Sequence, residues 1–172
     1  ELYTKMIAGP TRISFSAGWG QPFARAFSDQ KILFSFAPDW RAFMTKLDIP
    51  SLAGKMALAQ VPRFEGFGEI TSTMGGTGLF MTLKGKETTV NTKLGPVSKK
   101  ELCWEIMKKL YLDEELTRRF YRSGRTIAAY MPSWNMKEVD DIDSYFSNQP
   151  VGRMYADIAE DVPFYYNNAY AA

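Results

Sequence analysis

The chain of 172 residues contains no histidine and a single cysteine, Cys103. Without His the usual general base near neutral pH is missing, and with it nearly every zinc, haem or Cys–His nucleophile arrangement. One Cys excludes an internal disulfide. Catalysis would have to rest on carboxylates, Lys, Tyr or a Ser–Lys pair. An excess of one charge is lacking too: 21 Lys and Arg against 19 Asp and Glu leave +2, dispersed along the chain. Counterion release from a nucleic-acid backbone therefore supplies no obvious driving force, and no nucleic acid is expected as a partner. No run of about 18 apolar residues occurs, which excludes a membrane-spanning helix. Internal repeats and low-complexity segments are also absent, and neither metal nor cofactor is expected.

What is present is a large apolar fraction. At 45% hydrophobic residues the chain can bury roughly two-thirds of its unfolded surface, enough for one or two compact lobes without staples. Its ends do not read as ends. Glu1-Leu2-Tyr3-Thr4-Lys5-Met6 resembles the middle of an amphipathic helix rather than a signal peptide, and the stretch from Val162 to Tyr170 is densely aromatic. The expectation is a fragment cut at both ends.

Local signals alternate between short helices and short apolar runs, the pattern of an α/β fold. A helix ending at Gly9-Pro10 is followed by a loop over 11–20 and a short amphipathic helix over 22–29. The run 31–36, KILFSF, is too short for a helix and too apolar for an exposed strand, which predicts a buried parallel strand. It breaks at Ala37-Pro38-Asp39-Trp40, so an acid and a large aromatic would stand at the strand's carboxyl end, where open α/β sheets place their ligands. A short helix over 40–47 and further strands over 56–60 and 78–82 follow. The polar segment 85–97 reads as a loop or small hairpin. Ser98, with Glu101 three residues on, forms a capping box ahead of a helix whose apolar stripe is Leu102, Ile106 and Leu110. Asp113-Glu114-Glu115 opens a second helix that ends near Gly124, and a last helical segment lies around 148–161.

Several motifs occur in a shared order: Pro38-Asp39-Trp40, Leu52-Ala53-Gly54-Lys55, Ser72-Thr73-Met74-Gly75-Gly76-Thr77-Gly78, Cys103-Trp104-Glu105-Ile106, Gly124-Arg125 with Trp134, and Val162-Pro163-Phe164-Tyr165. In this order the chain resembles extracytoplasmic solute-binding proteins of sugar ABC transporters, the maltose-binding-protein-like family. The resemblance implies a partial type II periplasmic-binding-protein fold with parts of both lobes and a short mixed sheet. Residues 1–44 would belong to the second lobe with a hinge strand, 45–122 to the first lobe, and 123–172 to the return into the second. It also implies a sugar ligand, a membrane permease as partner, an extracytoplasmic location through an anchor of the intact protein, and no catalysis. Family members are about twice this length, the loop 85–97 is longer than their usual connection, and half the cleft would be missing. Exposed sheet edges would then favour self-association.

A sugar presents apolar C–H faces and a ring of hydroxyls, so its site needs aromatic platforms beside hydrogen-bonding groups. Trp40 beside Asp39 offers both, although Trp40 equally suits the core at the strand end. Trp19, between two glycines, is a second platform or a loop-packing residue. Gly75, Gly76 and Thr77 would let bare backbone approach a ligand, or form a plain tight turn. Arg125 would clamp hydroxyls or pair with an acid. The resemblance adds Trp134, where the chain returns to the second lobe, as a ligand-binding position, and Tyr165, Asn167 and Tyr170 as a last cleft-lining segment, an aromatic stretch that plain packing would equally explain. Asp140, Asp141 and Asp143 lack the spacing, central Gly and terminal Glu of an EF-hand and read as a solvated helix start. Cys103 reads as a small buried hydrophobe. A carboxylate-based glycoside hydrolase pairing Asp39 with Glu69 or Asp161, and a stand-alone protein-interaction module, remain the alternatives.

Overall fold

The structure is a computed structural model that describes residues 2–63, 65, 66, 68, 71–76, 78–82 and 88–164. Helices dominate it. They are α1 (Leu2–Ile7), α2 (Gln21–Ser28), α3 (Asp39–Asp48), α4 (Lys99–Leu112), α5 (Glu114–Gly124) and α6 (Val151–Ala159). Short 3-10 turns lie at Pro50–Leu52, Met131–Asn135, Lys137–Asp140 and Ser144–Phe146. The sheet among the described residues is one antiparallel hairpin of β1 (Thr89–Thr92) and β2 (Gly95–Ser98), with Val90 opposite Val97. Mixed helix with a small sheet is compatible with the α/β class. Two compact units arise: residues 1–58 with 143–149, and residues 59–142 with 150–172.

The expected buried parallel strand over 31–36 does not form. A parallel strand needs neighbours for its N–H and C=O groups, and among the described residues none pairs with it. The Lys31 N–H instead donates back to Ala26 O at 2.8 Å, closing the end of α2. Ile32 alone packs into a core, while Leu33, Phe34 and Phe36 are 81%, 80% and 71% exposed. Strands over 56–60 and 78–82 are absent as well. In the former, side chains replace the ladder: Gln149 accepts the Leu58 N–H at 2.7 Å and donates to Leu58 O at 2.9 Å, and Ser147 donates to Met56 O at 2.8 Å.

In the first unit, α2 and α3 pack around Ala24, Phe27 and Ile49, with Phe23, Ile32, Leu52 and Met56 against them. The segment 143–149 clips onto this core. Tyr145 is buried and its hydroxyl donates to Ile49 O at 2.8 Å, its own carbonyl accepts the Gly54 N–H at 2.9 Å, and Lys46 donates to Asp143 at 2.6 Å.

In the second unit, Tyr121, Met136, Val139 and Ala156 form the core, joined by Ile127 and Trp134. The polar segment resolves as the hairpin, whose Gly95 at φ 112° takes a backbone conformation that other residues rarely adopt. Ser98 occupies the position before α4, but its side chain makes no cap bond; the Lys99 N–H donates to Thr88 O at 2.8 Å. The expected apolar stripe of α4 is not core, since no residue of this helix is buried and Ile106 is about half exposed. Cys103 is half-buried. Helix α5 begins where expected, its Asp113 carboxylate accepting the Leu116 N–H at 3.0 Å.

Four carboxyls of this unit lie below their ordinary values. Lys109 and the Leu116 N–H hold Asp113 down, Arg119 holds Glu115, its own N–H and then Arg122 hold Glu138, and Arg153 holds Asp140. Depressed values contribute stability above the unfolded carboxylate range of about 4 and lose it as pH falls through the folded values. Melting followed by circular dichroism should therefore drop more steeply below about pH 4 in the wild type than in an E115Q/E138Q variant. Identical pH profiles would contradict this.

Candidate functional site

Three of the residues singled out in the sequence come together in the first unit. The Trp19 and Trp40 rings stack with centroids 5.9 Å apart and planes at 21°. Asp39 adjoins them, although not at a strand end: Asp39 and Trp40 open α3, and Asp39 Oδ1 accepts the Trp40 N–H at 2.7 Å. Pro38 explains the change, because it precedes the helix with its φ fixed at −67° and adds no donor to its start. Trp19 is held outward by glycines on both sides, Gly18 at φ 68° and Gly20 at φ 72°, and remains 63% exposed.

Arg41, which the sequence reading did not single out, is the cation of this cluster. Its guanidinium carbon lies 5.0 Å from the Trp19 ring centroid and 4.2 Å from that of Phe23, and Nη1 is 3.5 Å from Asp48. The residue is only 5% exposed, and Nη2 has no hydrogen-bond partner among the described residues. The available signal was its place one residue after Asp39-Trp40, within the first turn of a helix. An indole pair, a carboxylate and a guanidinium in one cluster supply flat apolar faces, acceptors and donors together.

The other expected residues do not join it as a described site. Gly75 and Gly76 belong to the second unit in an exposed irregular segment, with nothing within 4 Å of where a Cβ would stand. Thr77, Tyr165, Asn167, Tyr170 and Glu69 lie outside the described residues. Arg125 serves its own unit: it follows α5 at φ 52°, bonds Asp141 at 3.1 Å and lies over the Tyr121 ring at 5.4 Å. Trp134 donates its indole N–H to Ala128 O at 2.7 Å and packs on the second core. The acids expected as a solvated helix start are each answered by a cation, Asp140 by Arg153, Asp141 by Arg125 and Asp143 by Lys46. Among the described residues no group of three or more His, Cys, Asp or Glu is placed to hold a metal ion, and no helix is long and apolar enough to cross a membrane. Set against family models, curated proteins and solved structures, the chain matches none of them.

Proposed function

We propose that the chain is part of a carbohydrate-binding protein, the receptor component of a sugar ABC transporter, and that the Trp19–Trp40 pair is its stacking platform. The observation that carries this reading is the pair itself: two indoles 5.9 Å apart with Trp19 largely exposed, beside a carboxylate and a guanidinium. A pyranose ring laid on Trp19 would gain area and C–H contacts, Asp39 would accept hydrogen bonds from hydroxyls, and Arg41 Nη2 would gain an acceptor as Trp19 turns about its glycines. The order of motifs shared with extracytoplasmic solute-binding proteins supports the finer reading. In that reading the whole protein has a two-lobed type II fold, closes on sugar by hinge motion, works outside the cytoplasm and docks on a permease. The lobe bounds 1–44, 45–122 and 123–172 belong to the same proposal.

Calorimetry with gluco-, manno-, xylo- and galacto-oligosaccharides tests it. At least one series should bind saturably, and a reporter glycoside should show no turnover. Turnover dependent on Asp39 would favour the hydrolase alternative, and absence of binding across all four series would overturn the proposal.

A further inference from the structure

The Trp19–Trp40 cluster contains a buried donor that no described residue answers. Arg41 is 5% exposed, its guanidinium carbon lies over the rings of both Phe23 and Trp19, and Nη1 stands 3.5 Å from an Asp48 carboxylate that is itself three-quarters buried. Its positive charge is therefore met by two ring faces and a counterion. Nη2 is not met, for it is buried and has no hydrogen-bond partner among the described residues. A buried N–H left without an acceptor costs its desolvation, so such a group ordinarily points to a partner. Trp19 covers this guanidinium and is the way to it. Gly18 and Gly20 flank it at positive φ, with nothing within 4 Å of where either Cβ would stand, so the indole can turn aside without displacing packed atoms near those hinges.

What the cluster lacks is an acceptor rather than a countercharge, and this separates the classes of sugar. A uronate would bring a further carboxylate to a guanidinium already paired with Asp48, in a cluster where Asp39 adds a second like charge. A hydroxyl accepts, but it carries a proton of its own to be placed and is easily matched by water. An amide carbonyl only accepts. We propose that the sugar bound at this platform is an N-acetylhexosamine, whose acetamido carbonyl takes the Arg41 Nη2 donor, whose amide N–H turns to Asp39, and whose methyl is covered by the Trp19 and Phe23 rings. A carboxylate accepts from several donors, so the Trp40 N–H on Asp39 Oδ1 does not exclude a second. A sugar without the carbonyl leaves a buried donor unpaired, and that penalty makes a polar site selective. The inference rests on the sugar reading of this same cluster.

The test is calorimetry of the whole chain with three trimers of the same linkage. They are chitotriose, cellotriose, which carries a hydroxyl in place of each acetamido group, and cellotriose oxidised to its glucuronate form. Chitotriose should bind about tenfold tighter than cellotriose or more, with the glucuronate trimer no tighter than cellotriose. Arg41→Met keeps an apolar stem and removes the donors, so the preference for chitotriose should vanish in it. The wild-type ratio needs no substitution and decides the question even where R41M does not fold. Cellotriose binding as tightly as chitotriose, the glucuronate trimer binding tightest, or a preference that survives in R41M would overturn the inference and leave the sugar reading standing. No saturable binding of any of the three would overturn both.

Discussion

Gly152→Ala should be the most damaging single-atom addition in the second unit, costing about 3 kcal/mol or more. Gly152 is buried near the start of α6, and a Cβ there would overlap Tyr121 Oη and stand 2.7 Å from the Val139 carbonyl oxygen. The tyrosine ring is one wall of the core, and the carbonyl is main chain in the Lys137–Asp140 turn, so neither yields without moving its neighbours. Alanine normally gains about 1 kcal/mol over glycine inside a helix, but that gain is smaller than the clash. Urea denaturation measures the loss. Adding Tyr121→Phe removes the nearest contact and should recover part of it, leaving the Val139 carbonyl at 2.7 Å and the Tyr121 ring carbon Cζ at 2.9 Å in place. Wild-type stability in G152A would show that α6 does not pack as described.

Tyr145→Ala should cost the first unit about 3–5 kcal/mol. The ring is 6% exposed, meets Phe146 edge-on at a centroid distance of 4.9 Å, and anchors the segment 143–149 on α3. Its hydroxyl caps the end of that helix through Ile49 O at 2.8 Å and more weakly Thr45 O at 3.4 Å, bonds that Tyr145→Phe removes while keeping the ring. The phenylalanine variant should therefore lose only about 1 kcal/mol, because most of the side chain's contribution is buried area. If alanine and phenylalanine cost the same, the packing role assigned to the ring is wrong.

The helices and the hairpin within 85–97 were legible in the sequence, whereas the apolar strands expected over 31–36, 56–60 and 78–82 were not, for a physical reason. Pro22, Pro38-Asp39, Asp113 and Pro150 mark helix starts through local chemistry, and α2, α3, α5 and α6 follow them. A strand is completed only by another strand. The apolarity of 31–36 signals a need for cover without naming what provides it, and the structure leaves Leu33, Phe34 and Phe36 exposed. Leu102, Ile106 and Leu110 show the same limit in α4, where periodicity fixed the helix but not its burial.

The proposed platform was legible by residue type rather than by partnership. Trp19 and Trp40 stood out as candidate aromatic platforms, yet nothing in their separation of about twenty positions announces the stack they form. Arg41 was hidden because a guanidinium reads as surface by default.

The central claim is that Trp19 and Trp40 bind sugar. Its most direct test is a tryptophan-fluorescence titration of wild type, W19A and W40A with the oligosaccharide that binds best by calorimetry. The account predicts a saturable change in the wild type and about tenfold weaker binding or worse in each variant, as expected for losing one stacking partner worth about 1 kcal/mol beyond its area. Undiminished affinity in both variants would contradict it.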